Sequence, residues 1–140
     1  EGVADAMAAL WLDDPRFLDA SFALDSRALD ADAVYVESMD PERAAAEAKD
    51  DLLYFYVPYS LGTVWARTIW SIRVAAGDLE GTRALLCRTV HAFDAENNMN
   101  GDGCAAGLIA STAAEGPECL LVRDTLLEAF GSAVQVPPCP

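Results

Sequence analysis

The sequence predicts an all-α fold: an antiparallel helix bundle of about four core helices, preceded by an N-terminal arm and stapled by two disulfides. Three observations carry that reading. Apolar residues recur at intervals of three and four through the second half of the chain, the spacing of one helix face. Start and stop signals at Asp14-Pro15, Asp40-Pro41, Gly77-Asp78 and Pro137-Pro138 cut the chain into helix-sized pieces. Paired runs of alternating apolar and polar residues joined by turn chemistry, the mark of a strand hairpin, do not occur. A length of 140 residues suits one domain with one core. The 53% hydrophobic content and mean hydropathy of +0.16 exclude a disordered acidic tail. Residues 1–39 read as an acidic arm with a short helix and residues 40–140 as the bundle domain.

The elements follow in order. Asp14 is an N-cap and Pro15 suits the first helical position, so Pro15–Leu29 is expected to be helical, with Phe17, Ser21, Leu24 and Ala28 on one stripe. The run Ala33-Val34-Tyr35-Val36 suggests an extended connector. Asp40-Pro41 repeats the cap-plus-proline signal, and the Ala-rich run Glu42–Asp51 favours a helix that Pro58 interrupts. Ser60 then caps a helix over 61–76, with Leu61, Trp65, Ile69, Ile72 and Ala76 facing the core. Gly77 is placed as the residue after that helix and Asp78 as the next N-cap, so 61–76 and 79–95 form an antiparallel hairpin. A Gly- and Asn-rich loop is expected from Asn97 to Gly107. The last helix spans about 117–134, with Leu120, Leu127, Phe130 and Val134 on one stripe, and Pro137-Pro138 ends it.

Four cysteines lie at 87, 104, 119 and 139 with no CxxC pair, which excludes zinc-ribbon and thioredoxin readings and fits two disulfides in an oxidising compartment. A final helix of about 15 residues spans about 22 Å, which strains a Cys119–Cys139 bridge unless the tail folds back. Cys87–Cys139 and Cys104–Cys119 are therefore the expected pairs. The alternative is four buried thiols acting as small apolar residues.

The net charge is −14, from 9 Lys+Arg against 23 Asp+Glu, and its field repels phosphate backbones, which excludes nucleic acid as a partner. Its distribution is uneven: residues 1–51 carry 14 acids and 4 bases, whereas Arg67, Arg73, Arg83 and Arg88 outnumber Asp78 and Glu80 within 61–91. Either the acidic part and the arginine-rich part attract each other within the chain, or both face a charged partner. The longest uncharged stretch, Leu52–Ala66, is too short and too broken by Pro58 and Gly62 to cross a bilayer, so the chain has no transmembrane segment of its own. It opens at Glu1 with no visible signal peptide, so an earlier segment is expected to have been removed, a targeting segment by processing or another stretch by other means.

Catalytic signals are sparse. His91, the one histidine, shares a helix face with Cys87 and Asp94, a mixed trio that reads more simply as a surface histidine near a helix end. Asn98-Met99-Asn100-Gly101-Asp102-Gly103 partly matches a calcium loop, but Asn98 and Ile109 stand where acids are needed. No metal site or cofactor is assigned. The aromatic set is more informative. Tyr54, Phe55, Tyr56, Tyr59 and Trp70 exceed what one helix face can bury. Beside Arg67 and Arg73 they compose a candidate partner-binding surface. The other reading is that the N-terminal arm covers Trp70.

The outline from Gly62 to Glu96 is a long helix, a break at Gly77-Asp78 and a helix over Arg83–Phe93, with Glu118–Val134 closing the set. This resembles the PsbQ-like extrinsic subunits of photosystems over roughly the C-terminal 80 residues. The four cysteines and the aromatic 54–70 segment depart from that family, so no functional residue carries over. The resemblance implies a non-enzymatic accessory subunit in the thylakoid lumen, docked on protein subunits of a larger membrane-associated complex. Two further readings stand beside it: a secreted helical protein binding a small apolar ligand, and a small hydrolase or isomerase using carboxylates with Arg67 and Arg73.

Overall fold

The apolar repeat of Leu61, Trp65, Ile69 and Ile72 falls in the longest helix among the described residues. The computed structural model describes residues 2–17, 28–30, 51–92, 101–112 and 116–140, with backbone alone over 51–60. Among them are five helices and no strand: α1 Gly2–Leu12, α2 Asp51–Ala76, α3 Leu79–Ala92, α4 Gly101–Ser111 and α5 Cys119–Phe130.

The turn between α2 and α3 forms as its residues dictate. Gly77 adopts φ +62° and its N–H bonds to the Arg73 carbonyl at 3.1 Å, while the Asp78 carboxylate accepts the Gly81 N–H at 2.8 Å. Left-handed glycine followed by an aspartate N-cap reverses the chain in two residues. Gly81 and Gly116 then cross closely: a Cβ on Gly81 would lie 2.8 Å from the Gly116 Cα. At the same time Arg88 Nε donates to the carbonyl of Ser111, the last residue of α4, at 2.9 Å. The α4 chain therefore runs antiparallel to α3. Asp102 Oδ1 accepts the Gln135 N–H at 2.7 Å, which sets the start of α4 beside the segment following α5. The ring centroids of Trp65 and Phe130 lie 4.4 Å apart, tying the end of α5 to the middle of α2.

Helix α1 is absent from the sequence-based expectation and is central to the core. Ala6, Ala9 and Leu10 are at most 1% exposed and belong to one cluster with Ile72, Leu85, Ala105, Val122 and Leu126. It runs parallel to α2 at a constant offset of sixty residues: Gly2 abuts Gly62 and Asp13 pairs with Arg73. The contact is close because both helices present Gly-x-x-x-Ala, Gly2/Ala6 on one and Gly62/Ala66 on the other. A Cβ added at Gly2 would sit 2.2 Å from the Gly62 carbonyl oxygen. Buried threonines in the core satisfy their hydroxyls on the preceding turn, as Thr68 does on Val64 and Thr89 on Leu85.

Four expectations need correction. α2 continues through Pro58 instead of breaking there; a lost hydrogen bond and ring clash cost about 3 kcal/mol, which packing of the rest of a long helix can offset. The expected loop over 97–107 is helical from Gly101, because Ala105, Leu108 and Ile109 repeat at helical spacing and all are buried. Of the expected helix Pro15–Leu29, residues 18–27 lie outside the described residues; its two ends meet, the Leu29 N–H bonding to the Pro15 carbonyl at 2.9 Å, whereas the ends of one helix would stand about 21 Å apart. Asp14 accepts the Arg16 N–H at 2.8 Å and so caps a turn. The expected connector over 30–39 and the helix over 42–50 lie outside the described residues.

The disulfide pairing is the fourth. The bond joins Cys119 to Cys139, and Cys87 and Cys104 carry no disulfide. The expected Cys87–Cys139 and Cys104–Cys119 pairs fail for one geometric reason. α5 stops at Gly131, φ +56°, whose N–H bonds to the Leu127 carbonyl, and the tail then folds back along the helix to its start. Val134 on that tail is buried and Val136 packs on the core.

Two outcomes follow. Gly2→Val is expected to destabilise the chain by about 2 kcal/mol through the α1–α2 clash, measured as a lowered urea midpoint. Cys139→Ser is expected to cost about 3 kcal/mol, and non-reducing peptide mapping of the parent chain should recover Cys119 joined to Cys139.

Candidate functional site

The arginines of the α2–α3 hairpin are the residues on which any polar site here would be built, and each is engaged inward. Helix α1 ends with carbonyls that have no intrahelical donor, carrying the negative end of its dipole. Arg83 meets them: Nη2 donates to the Leu10 carbonyl at 2.7 Å and to the Trp11 carbonyl at 3.1 Å, and Nε donates to Leu10 at 3.0 Å. Its guanidinium also pairs with Glu80 and lies 5.5 Å from the Trp11 ring centroid. Arg88 performs the same capping on α4 through Ser111. Arg67 Nε donates to the Ala28 carbonyl at 2.8 Å, fixing the 28–30 segment on α2.

Arg73 completes the set. Its Nη2 lies 2.7 Å from Asp13 Oδ1 and its guanidinium stacks 5.1 Å from the Trp70 ring centroid. Asp13 is the one non-glycine residue with positive φ among the described residues, at 51°. It occupies the left-handed position closing α1, where the Asp13 N–H reaches Leu10 and the Asp14 N–H reaches Ala9. Glycine is the usual residue there. Aspartate adds a carboxylate that ties this terminus to α2.

The placement of the expected partner-binding residues is therefore mixed. Trp70 is buried at 7% exposure, so it is not the exposed ring the sequence suggested; Arg67 and Arg73 are occupied within the chain. Tyr54, Phe55, Tyr56 and Tyr59 lie on the α2 backbone, and their side chains fall outside the described residues. His91 is exposed near the end of α3, and its expected companion Asp94 lies outside the described residues. The calcium-loop reading needs a loop through position 109, but 101–111 is helix. Among the described residues no cluster of three His, Cys, Asp or Glu could hold a metal, and no helix is long and apolar enough to cross a membrane. Burial pushes the Cys104 thiol up, so it stays protonated at neutral pH and is a poor nucleophile.

What the sequence did not single out is an exposed apolar surface at one end of the molecule. Trp11 (53% exposed), Leu12 (66%), Val74 (58%) and Leu120 (62%) are the exposed large apolar residues among the described ones. All lie at the α2–α3 turn end. Trp11 and Leu12 finish α1, and Val74 follows Arg73, which holds Asp13. Leu120 is in the first turn of α5, just after Gly116, which abuts Gly81. Four apolar residues scattered singly would be ordinary, but gathered at one pole they resemble a binding surface.

No protein-family model matches the chain, and neither a curated protein nor a solved structure matches it.

Replacing Arg83 by Met keeps the aliphatic stem and removes the bonds to α1. It is expected to cost about 2 kcal/mol of stability and to speed amide exchange through 9–12, read by hydrogen exchange.

Proposed function

We propose that this protein is a non-enzymatic accessory subunit that docks on a larger, membrane-associated complex through the pole bearing Trp11, Leu12, Val74 and Leu120. The observation that carries the proposal is the placement of these four residues at one end, while the other large apolar side chains among the described residues are buried or half-buried. A tryptophan beside aliphatic residues is the composition of interface anchors. The hairpin arginines, which a polar catalytic cleft would need, are already bound to carbonyls and carboxylates of the same chain. In this reading the described helices form one bundle, with α1 packed parallel on α2 as part of the core and not a draped arm. The Cys119–Cys139 bridge fits an oxidising compartment. The thylakoid lumen, with an extrinsic photosystem subunit as the specific form, rests on the resemblance of the 62–134 outline.

The test is the native size of the protein in its source membranes. We expect it to sediment well above its own 14.9 kDa, and a chain carrying Trp11→Ser with Leu12→Ser to run alone while keeping its helical circular dichroism. A parent chain that runs as an isolated monomer overturns the proposal.

A further inference from the structure

The apolar pole has a charge, and that charge selects among partners. Arg16 is paired with Asp30, Arg73 with Asp13 and Arg83 with Glu80. After those pairs cancel, the exposed carboxylates of Asp14, Asp78 and Glu118 remain at this end. Each lies where the contacts above place the pole: Asp14 closes α1, Asp78 is in the α2–α3 turn and Glu118 precedes α5. No lysine is among the described residues, and the chain as a whole carries −14. The surface is thus an exposed indole and aliphatic cluster inside a negative field.

We propose that this pole binds a basic amphipathic helix of a partner protein, whose apolar stripe covers Trp11, Leu12 and Val74 and whose lysines or arginines face Asp14, Asp78 and Glu118. The proposal rests on the accessory-subunit reading and adds the chemistry of the partner. An amphipathic helix presents apolar anchors at i, i+3, i+4 and i+7 along one face, the stripe that would cover the exposed Trp11, Leu12 and Val74. Its flanking cations meet the remaining carboxylates at the rim, where opposite charge steers encounter and fixes orientation. An anionic lipid surface would be repelled by the same field, and an acidic helix would be too.

The probe is a fourteen-residue Leu/Lys peptide of amphipathic helical pattern, titrated into the full disulfide-bonded chain and followed by amide chemical shifts and tryptophan fluorescence. A Leu/Glu peptide of the same pattern, a Lys/Ser peptide carrying charge alone, and neutral phosphatidylcholine vesicles are the comparisons. We expect saturable binding of the Leu/Lys peptide, about tenfold tighter than of either other peptide, with shifts confined to residues near 11–14, 74–80 and 118–120. Binding should weaken several-fold as ionic strength rises to about 0.3 M. Trp11→Ser with Leu12→Ser should weaken it about tenfold, and Val74→Ser, on the opposite helix, should weaken it independently should the double variant fail to fold. Equal binding of the Lys/Ser peptide, preference for the Leu/Glu peptide or the vesicles, or unchanged binding by both variants overturns the proposal. A chain that travels in a large assembly yet ignores the Leu/Lys peptide overturns the partner chemistry alone. A chain that is always monomeric overturns the docking reading beneath it.

Discussion

The structure depends on how the α2–α3 hairpin uses its four arginines. Helix ends leave carbonyls without donors, and burying those ends is costly unless something supplies N–H groups. Arg83 and Arg88 supply them for α1 and α4, Arg67 does so for the carbonyl of Ala28, and Arg73 holds the aspartate that closes α1. Each contact joins residues far apart in sequence. The arginines are thus the polar counterpart of the apolar cluster: Leu10, Ile72, Leu85 and Leu126 provide the bulk of the burial, and the guanidinium groups make that burial tolerable for the backbone that accompanies it.

Parallel packing of α1 on α2 makes this arrangement necessary. Parallel packing places the C-terminal ends of both helix dipoles at the same end, where Asp13 after α1 meets Arg73 near the end of α2. A cation at the shared C-terminal end offsets the repulsion between like dipole ends, and Arg83 and Arg73 both stand there. The uneven charge of the chain finds its account here. Asp13 and the α1 terminus draw on the basic middle segment, so part of the attraction between acidic and basic regions is internal. What is left over at the same end, three carboxylates around exposed apolar side chains, is available to something else.

Legibility followed the range of the physics involved. Gly77-Asp78 was readable because its chemistry is local: one glycine for the left-handed turn and one carboxylate for the next helix. Helix α4 was not, because Gly101, Gly103 and Gly107 argue against helix while the burial of Ala105, Leu108 and Ile109, which decides the matter, is tertiary. The disulfide was misjudged because the pairing depends on the tail folding back after Gly131, and no residue from 132 to 138 announces that course. Arg67 and Arg73 were singled out beside Trp70 as partner contacts, whereas the contacts they make within the chain, to a backbone carbonyl and to a residue sixty positions away, were invisible to spacing. Of the candidate surface, Trp11 and Leu12 passed unnoticed because α1 itself did, although Ala6, Ala9 and Leu10 carry the three-and-four repeat.

The capping by Arg83 and Arg88 also bears on how this fold would vary. A guanidinium that binds a carbonyl reads the backbone, and every amino acid presents the same carbonyl. Leu10, Trp11 or Ser111 could each be exchanged without removing the acceptor. Such contacts leave no reciprocal constraint between two side chains. Among related chains the contact of α1 with α3 would therefore produce little pairwise covariation, although Arg83 Nη2 lies 2.7 Å from the Leu10 carbonyl. A retained arginine, with the Trp11 ring it stacks on, would be its main trace.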